Sequence, residues 1–463
     1  MTRKIILFIT ACTLAVSLFA NNIQLENVNL NGQNTTSKFS LVGFDVNWEN
    51  SWRLANNELN WDAAWIFVKY RKKGASGWQH ATLNNTGHTP GSGAAITSSP
   101  DGKGAFIFRS APGTGNVNFP GNQLRWNYGV DGVLDSDSVE VNVYATEMVY
   151  VTAGGFWLGS NGTEMAHFRR GDKDTTYWVG SENQINIGTS NTTLFASTGA
   201  QGGTLGTISA AYPKGVNAFY IMKYEVSEGQ YVDFLNNLDA TRAANRNIGG
   251  FTGTQPNLIS AQPERAANGA SLEDVMAFLD WSALRPMTEF EYEKASRGTN
   301  ISPIPNEYVW GNTTITASSG VLDAGLINET VTTGNTNYAN SIQRPLRCGV
   351  FATNSSSRVS SGGTYFGVME MSGNVWEPVM TAGNAAGRTF TGLHGDGNLA
   401  NDGTSDMVNG TEVTSGWGYR GGGYNEGPNN LATSARFFAS RGAFIANNNR
   451  IAANGIRGVR TAQ

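Results

Sequence analysis

The sequence predicts an all-β, Ig-like sandwich over residues 21–146, followed by an α+β unit over residues 147–463. Three observations point there. First, 57 of the 463 residues are glycine and only 15% are charged, while 12 Trp, 15 Tyr and 22 Phe supply large apolar surfaces. This composition suits turn-rich β architecture better than helical bundles. Second, Val139, Val141 and Val143 alternate with Glu140, Asn142 and Tyr144, the period of a half-buried strand. Third, helix-capping pairs signal helix starts in the later part of the chain: Ser227 with Gln230, Ser271 with Asp274 and Thr288 with Glu291.

At the start, Arg3 and Lys4 precede a mostly apolar stretch from Ile5 to Ala20. That stretch is too short to favour spanning a bilayer and reads as a cleaved signal peptide over residues 1–20. Cys12, following Ile9-Thr10-Ala11, offers a lipid-attachment alternative, although it lies inside the apolar stretch. No later segment carries eighteen apolar residues in a row, so no membrane span is expected. The protein is expected to be exported, to the cell surface, the periplasm or the medium. Cleavage would leave Cys348 as the one thiol, which rules out an intramolecular disulfide. Burial must then supply the stability. The net charge of −4 and the lack of a basic cluster argue against a nucleic-acid partner.

Within the first unit, strand-like runs cover 39–48, 64–70, 104–109 and 139–145, separated by Asn, Gly, Ser and Pro clusters. His80 and His88 read as loop residues rather than ligands. The second unit opens with a strand and turn over 148–159, and 218–226 reads as a strand entering a helix. Tyr231, Phe234, Leu235 and Leu238 then share one helical face. A second helix follows Ser271, with Val275, Met276, Phe278, Leu279 and Trp281 apolar. A third follows Thr288 and ends at Gly298. Residues 239–270 and 299–360 look like loop insertions, where binding surfaces commonly sit.

Four blocks complete the pattern: LRPMTEFEYEKASRG at 284–298, MSGNVWE at 371–377, YRGGGY at 419–424 and GIRGVR at 455–460. Their order resembles the formylglycine-generating enzyme (sulfatase-modifying factor) family, which implies a C-type lectin-like fold for 147–463. In the first block, Arg285 with Glu289, Glu291 and Glu293 suggests buried ion pairs fixing a helix. In the second, the resemblance implies a calcium loop. Glu370 and Glu377 would be its carboxylate ligands, with the carbonyls of Gly373 and Val375 completing the oxygen set. Hard cations favour such compact oxygen loops. The alternative is a tight turn anchored by Trp376 and hydrogen-bonded through Asn374. A second calcium position of the family is poorly matched after Asn337.

The resemblance also shows what is missing. In the family's enzymes two copper-binding cysteines follow the third block. Here those positions are Glu426 and Leu431, neither a soft ligand able to activate oxygen. No copper is therefore expected. The family's iron-dependent branch takes its metal through histidines of an N-terminal helical bundle. This chain has four scattered histidines and a β-type N-terminal unit, so no iron is expected either.

The segment after Tyr424 resembles the ligand-binding face of lectin-fold proteins diversified by retroelements. It would present Tyr424, Asn425, Glu426, Asn429, Asn430, Phe437, Phe438, Arg441, Phe444, Asn447, Asn448 and Asn449 to a protein or glycan ligand. Aromatic, Arg and Asn side chains on a rigid sheet make effective paratopes. An ordinary Asn-rich loop is the plain alternative. Three functions follow: a binding protein without the copper-thiolate site, an oxygen-dependent enzyme of the formylglycine-generating class, or a structural part of an envelope assembly.

Overall fold

The computed structural model describes residues 23–55, 59–195, 204–353, 355–407, 416–439 and 449–462. The expected signal peptide lies outside the described residues. The chain is mostly β with few helices. Its first part forms eight strands: β1 (Gln24–Asn34), β2 (Phe39–Arg53), β3 (Asp62–Lys72), β4 (Gln79–His80), β5 (Ala94–Ser98), β6 (Ala105–Arg109), β7 (Gly113–Trp126) and β8 (Val139–Val151). β1, β2 and β7 make an antiparallel three-stranded sheet. Val42, Phe44, Val46 and Trp48 of β2 point from it into an apolar cluster, which Ala64, Ile66 and Val68 of β3 close from the other side.

β3 is buried along nine consecutive residues, so it has no solvent face. Ala64, Ile66 and Val68 fill the first cluster, whereas Ala63, Trp65 and Phe67 project into the main core of the second part. Unbroken apolar character in a strand is the mark of burial on both faces. The same sheet continues through β8. That strand pairs with β3 from Asp62↔Val149 to Lys72↔Val139, and its last residues also pair with Phe219–Met222. Strands Gly458–Thr461 and Arg285–Pro286 extend the ladder to eight strands. The expected division between residues 146 and 147 thus falls inside one strand.

Across this junction Phe106 stacks on Tyr220 at 3.7 Å, and Phe67 meets Trp281 edge-on at 5.0 Å. The Trp65 indole donates to the Ser282 carbonyl at 2.9 Å, and Lys69 Nζ donates to the Trp281 carbonyl at 2.7 Å. His80 belongs to β4 and is buried, its Nε2 against the Lys103 carbonyl at 2.6 Å.

Helices α1 (Glu228–Asn237), α3 (Leu272–Trp281) and α4 (Glu289–Arg297) each begin with a full capping box, from Ser227, Ser271 and Thr288. Each cap satisfies backbone donors that a helix start leaves unpaired. Several elements lie in segments expected to be loops, among them a short hairpin of Phe251–Thr252 with Ile259–Ser260. A short helix, α2 (Ala240–Arg246), is capped by Asp239, and a hairpin joins Ser319–Leu322 to Thr330–Thr333. The α2 sequence carries little apolar periodicity: only Ala243 and Arg246 are buried in it. Among the described residues no helix is long and apolar enough to cross a membrane.

Candidate functional site

The helix α4 sets the frame. Arg285 grips Glu291 through two nitrogens, at 2.9 and 2.6 Å. Glu289 accepts from Arg436 at 2.5 and 3.0 Å and from Arg420 at 3.1 Å. Glu293 accepts from Arg420 at 2.8 Å, from Arg297 at 3.1 Å and from the Gly159 amide at 2.9 Å. All of these side chains are buried. Buried charges persist only when paired and hydrogen-bonded, so these carboxylates hold architecture. Gly298 ends the helix at φ +104°, and a Cβ there would lie 2.5 Å from the Tyr365 ring.

The loop 371–377 turns tightly beside this frame. Gly373 has φ +92°, and a Cβ on it would lie 2.6 Å from the Asn337 carbonyl oxygen. Asn374, also left-handed at φ +65°, accepts from the Leu346 amide at 2.8 Å. The expected tight-turn role of Asn374 is thus present. Glu225 braces the loop from below, accepting from Asn374 Nδ2 at 2.5 Å and from the Val375 amide at 3.1 Å.

Glu377 opens the strand Glu377–Met380 and pairs through Oε1 with Arg457 Nε. The other Arg457 nitrogens reach the carbonyls of Met222 and Met369, both at 2.7 Å. Glu370, at φ +56°, accepts from the Gly349 amide at 2.9 Å. Glu377 thus pairs directly with the Arg457 guanidinium, and the charges of Glu225 and Glu370 also act on it. Burial pushes the Glu370 carboxyl up to about 7, against the pull of Arg457. Burial and the nearby Glu370 charge raise Glu225 well above the carboxylate range. Burial also raises Glu377, with Arg457 opposing. Two buried oxygens, Glu370 Oε2 and Glu377 Oε2, have no hydrogen-bond partner among the described residues. Oxygens of this kind suit a hard cation. Sequence reasoning missed Glu225 and Arg457 as members of this cluster. The available signal was Glu225, a charged residue beside Lys223 within the strand-like run 219–226.

A tighter set of carboxylates occurs elsewhere. Ligand oxygens of Asp280, Asp396 and Asp406 lie within 4.8 Å of one another. Both Asp280 oxygens already accept hydrogen bonds, from the Asp396 and Asp406 amides, each at 3.1 Å, and from Ser405 Oγ at 2.7 Å.

Several residues expected to contact a ligand gather around Trp376. Its amide donates to the Ala453 carbonyl at 2.7 Å, and its ring meets Phe438 at 5.0 Å, with Phe437 at 4.7 Å from Phe438. The Tyr424 amide donates to the Asn374 carbonyl at 2.8 Å, which joins the third block to the loop. Asn425, Asn429 and Asn449 are exposed, whereas Tyr424, Glu426, Asn430, Phe437 and Phe438 are half-buried. Asn430 Nδ2 donates to Glu426 Oε2 at 2.8 Å. Arg441, Phe444, Asn447 and Asn448 lie outside the described residues.

Glu426 and Leu431, at the positions matched to the thiol pair, offer no soft ligand. Leu431 is fully buried in an apolar cluster, and its carbonyl accepts from Ser372 Oγ at 2.7 Å. Glu426 is tied to Asn430. Cys348 is buried, donating to the Glu225 carbonyl at 3.4 Å, and burial together with nearby carboxylates raises its thiol well above the usual range. This donor set does not fit thiolate-bound copper. No curated protein matches the chain. Residues 134–462, from the approach to β8 to the last strand, match the family model of the sulfatase-modifying factor enzyme 1-like domain, and the chain belongs to that FGE-sulfatase family.

Proposed function

We propose that this chain is an exported binding protein of the family, in which a C-type lectin-like arrangement presents residues 424–449 to a protein or glycan partner. The N-terminal strands would form an Ig-like sandwich that supports it, at the cell surface, in the periplasm or after secretion. One observation carries the reading: the positions that would hold a thiol pair are Glu426, hydrogen-bonded to Asn430, and Leu431, sealed in the core. Oxygen activation by soft-metal chemistry has no ligands there. The exposed Asn425 and Asn429 beside the half-buried Tyr424 and Phe438 supply the mixed amide and aromatic surface that recognition uses. Nucleic acid is a poor partner for a chain of net charge −4.

Calcium at Glu370, Glu377 and the carbonyls of Gly373 and Val375 belongs to the same proposal, supported by the two unpartnered carboxylate oxygens. The cation would stiffen the loop that seats Trp376. The test of the function is direct. The purified protein, loaded with copper, is incubated with a cysteine-containing sulfatase peptide and read by mass spectrometry. The expected outcome is unchanged cysteine, whereas formylglycine would refute the proposal.

A further inference from the structure

A cleft opens where the tip of the β2–β7 pair meets residues 355–369. The two enclose a cleft of about 720 Å³, within the range of small-molecule sites. Trp52 forms one wall and is fixed from three sides. Its indole nitrogen donates to Asn60 Oδ1 at 2.6 Å, Lys223 Nζ sits 5.0 Å from the ring centre, and Gly367 abuts the ring edge. Tyr365 also lines the cleft. It is backed by Gly298 and by the Arg358 guanidinium, 5.6 Å from its ring centre.

The rim is made of amides and hydroxyls: Asn50, Thr114, Asn116 and Ser357 are all exposed there. Among the described residues no carboxylate lines the cleft. The Lys223 charge is answered from beneath by Glu147 at 2.8 Å and Asp62 at 3.3 Å. Arg358 gives one arm to the Ser296 and Val309 carbonyls, at 3.1 and 2.7 Å. The walls thus carry fixed aromatic rings, the rim is rich in neutral donors and acceptors, and the Lys223 charge is paired within the protein. A nucleic acid would need cations along its path. A peptide would need pockets for successive side chains. A polyhydroxylated ring with one apolar face needs what is present: an aromatic plane, and amide or hydroxyl partners at its edge.

We propose that this cleft binds a short neutral oligosaccharide, held against Trp52 and Tyr365 and hydrogen-bonded by the Asn50, Asn116 and Ser357 rim. The assignment goes beyond the proposed 424–449 surface and stands independently of it.

The test uses the full chain after export and a panel of neutral trisaccharides built from glucose, galactose, mannose and N-acetylglucosamine. Binding is followed by saturation-transfer NMR and calorimetry. At least one neutral trisaccharide should bind, with a Kd of about 1 mM or tighter. Asn116→Ala, a surface change, and Tyr365→Ala should each weaken it by about tenfold or more. A melting curve establishes that each variant is folded. Glu26→Ala, an exposed change on β1 outside both sites, should leave the affinity unchanged. The proposal fails if no neutral trisaccharide binds, if Asn116→Ala binds as the parent does, or if Glu26→Ala abolishes binding. It also fails if an unstructured peptide mixture displaces the sugar while a trisaccharide excess does not displace the peptides.

Discussion

Arg457 and Glu377 form an ion pair in which neither side chain reaches solvent. The guanidinium also faces Glu225 and Glu370, and the carboxylates hold it charged despite its burial. Removing one member of such a pair leaves an uncompensated charge in the core. Arg457→Met should therefore lower stability by about 3–5 kcal/mol, read from urea unfolding. Arg457→Met with Glu377→Gln should recover part of the loss. A double variant no more stable than Arg457→Met alone would refute the pairing as the source.

Acidity should act on the same cluster. The Glu370 pKa stands near 7, against about 4.5 for an ordinary glutamate, so the folded state binds the proton more tightly than the unfolded chain. Glu147 and Asp280 are raised in the same direction by burial. Between those values stability rises as pH falls and is lost as pH rises through about 7. The melting temperature should be higher at pH 6 than at pH 8, and Glu370→Gln should flatten that slope. A slope unaltered by Glu370→Gln would remove Glu370 from the account.

Calcium should reverse the tendency locally, because a cation favours the ionised carboxylates. With millimolar calcium the melting temperature at pH 8 should exceed that in chelator by several degrees, through mass action on the folded state. Glu377→Ala should abolish the increment. Equal melting temperatures with calcium and with chelator would sink the calcium proposal.

Gly298 tests the family block by sterics alone. At φ +104°, with the Tyr365 ring in the path of a Cβ, Gly298→Ala must strain the backbone and displace the ring. A loss of about 1–3 kcal/mol is expected, measured by thermal unfolding. Pairing it with Tyr365→Ala should relieve the clash but not the backbone strain.

The shared sheet predicts the fate of a truncated chain. A fragment of residues 147–463 would lose β3 and most of β8, uncovering Met148, Tyr220 and the Trp281 side of the core. It should bind a hydrophobic dye and lack a cooperative melt. A fragment melting as sharply as the full chain would show the two parts to be separable.

Much of this was legible in local pattern. The three capping boxes need only two side chains at fixed spacing, and all three form. The acidic helix 289–297 was readable as an ion-pair frame, because glutamates amid apolar neighbours must find partners. Their arginines were not readable: Arg420 and Arg436 reach Glu289 from more than 120 residues away. β3 was readable as a strand, but its two-sided burial depends on Trp281 and Tyr220, which no local period reveals. The Glu225 and Arg457 cluster stayed hidden for the same reason, since three distant loops converge on it. The cleft lined by Trp52 and Tyr365 exists only once the β2–β7 tip and residues 355–369 meet.

β8 runs through residues 146 and 147 without a break, and that leaves no hinge. The cleft beside Trp52 and the surface around Trp376 are therefore held at one spacing and one angle, like two marks on a ruler. A partner that touches both gains the effective concentration of a rigid spacer, and one with the wrong spacing gains nothing. Selectivity for long or repetitive partners would then come from geometry between sites, over and above the chemistry within each.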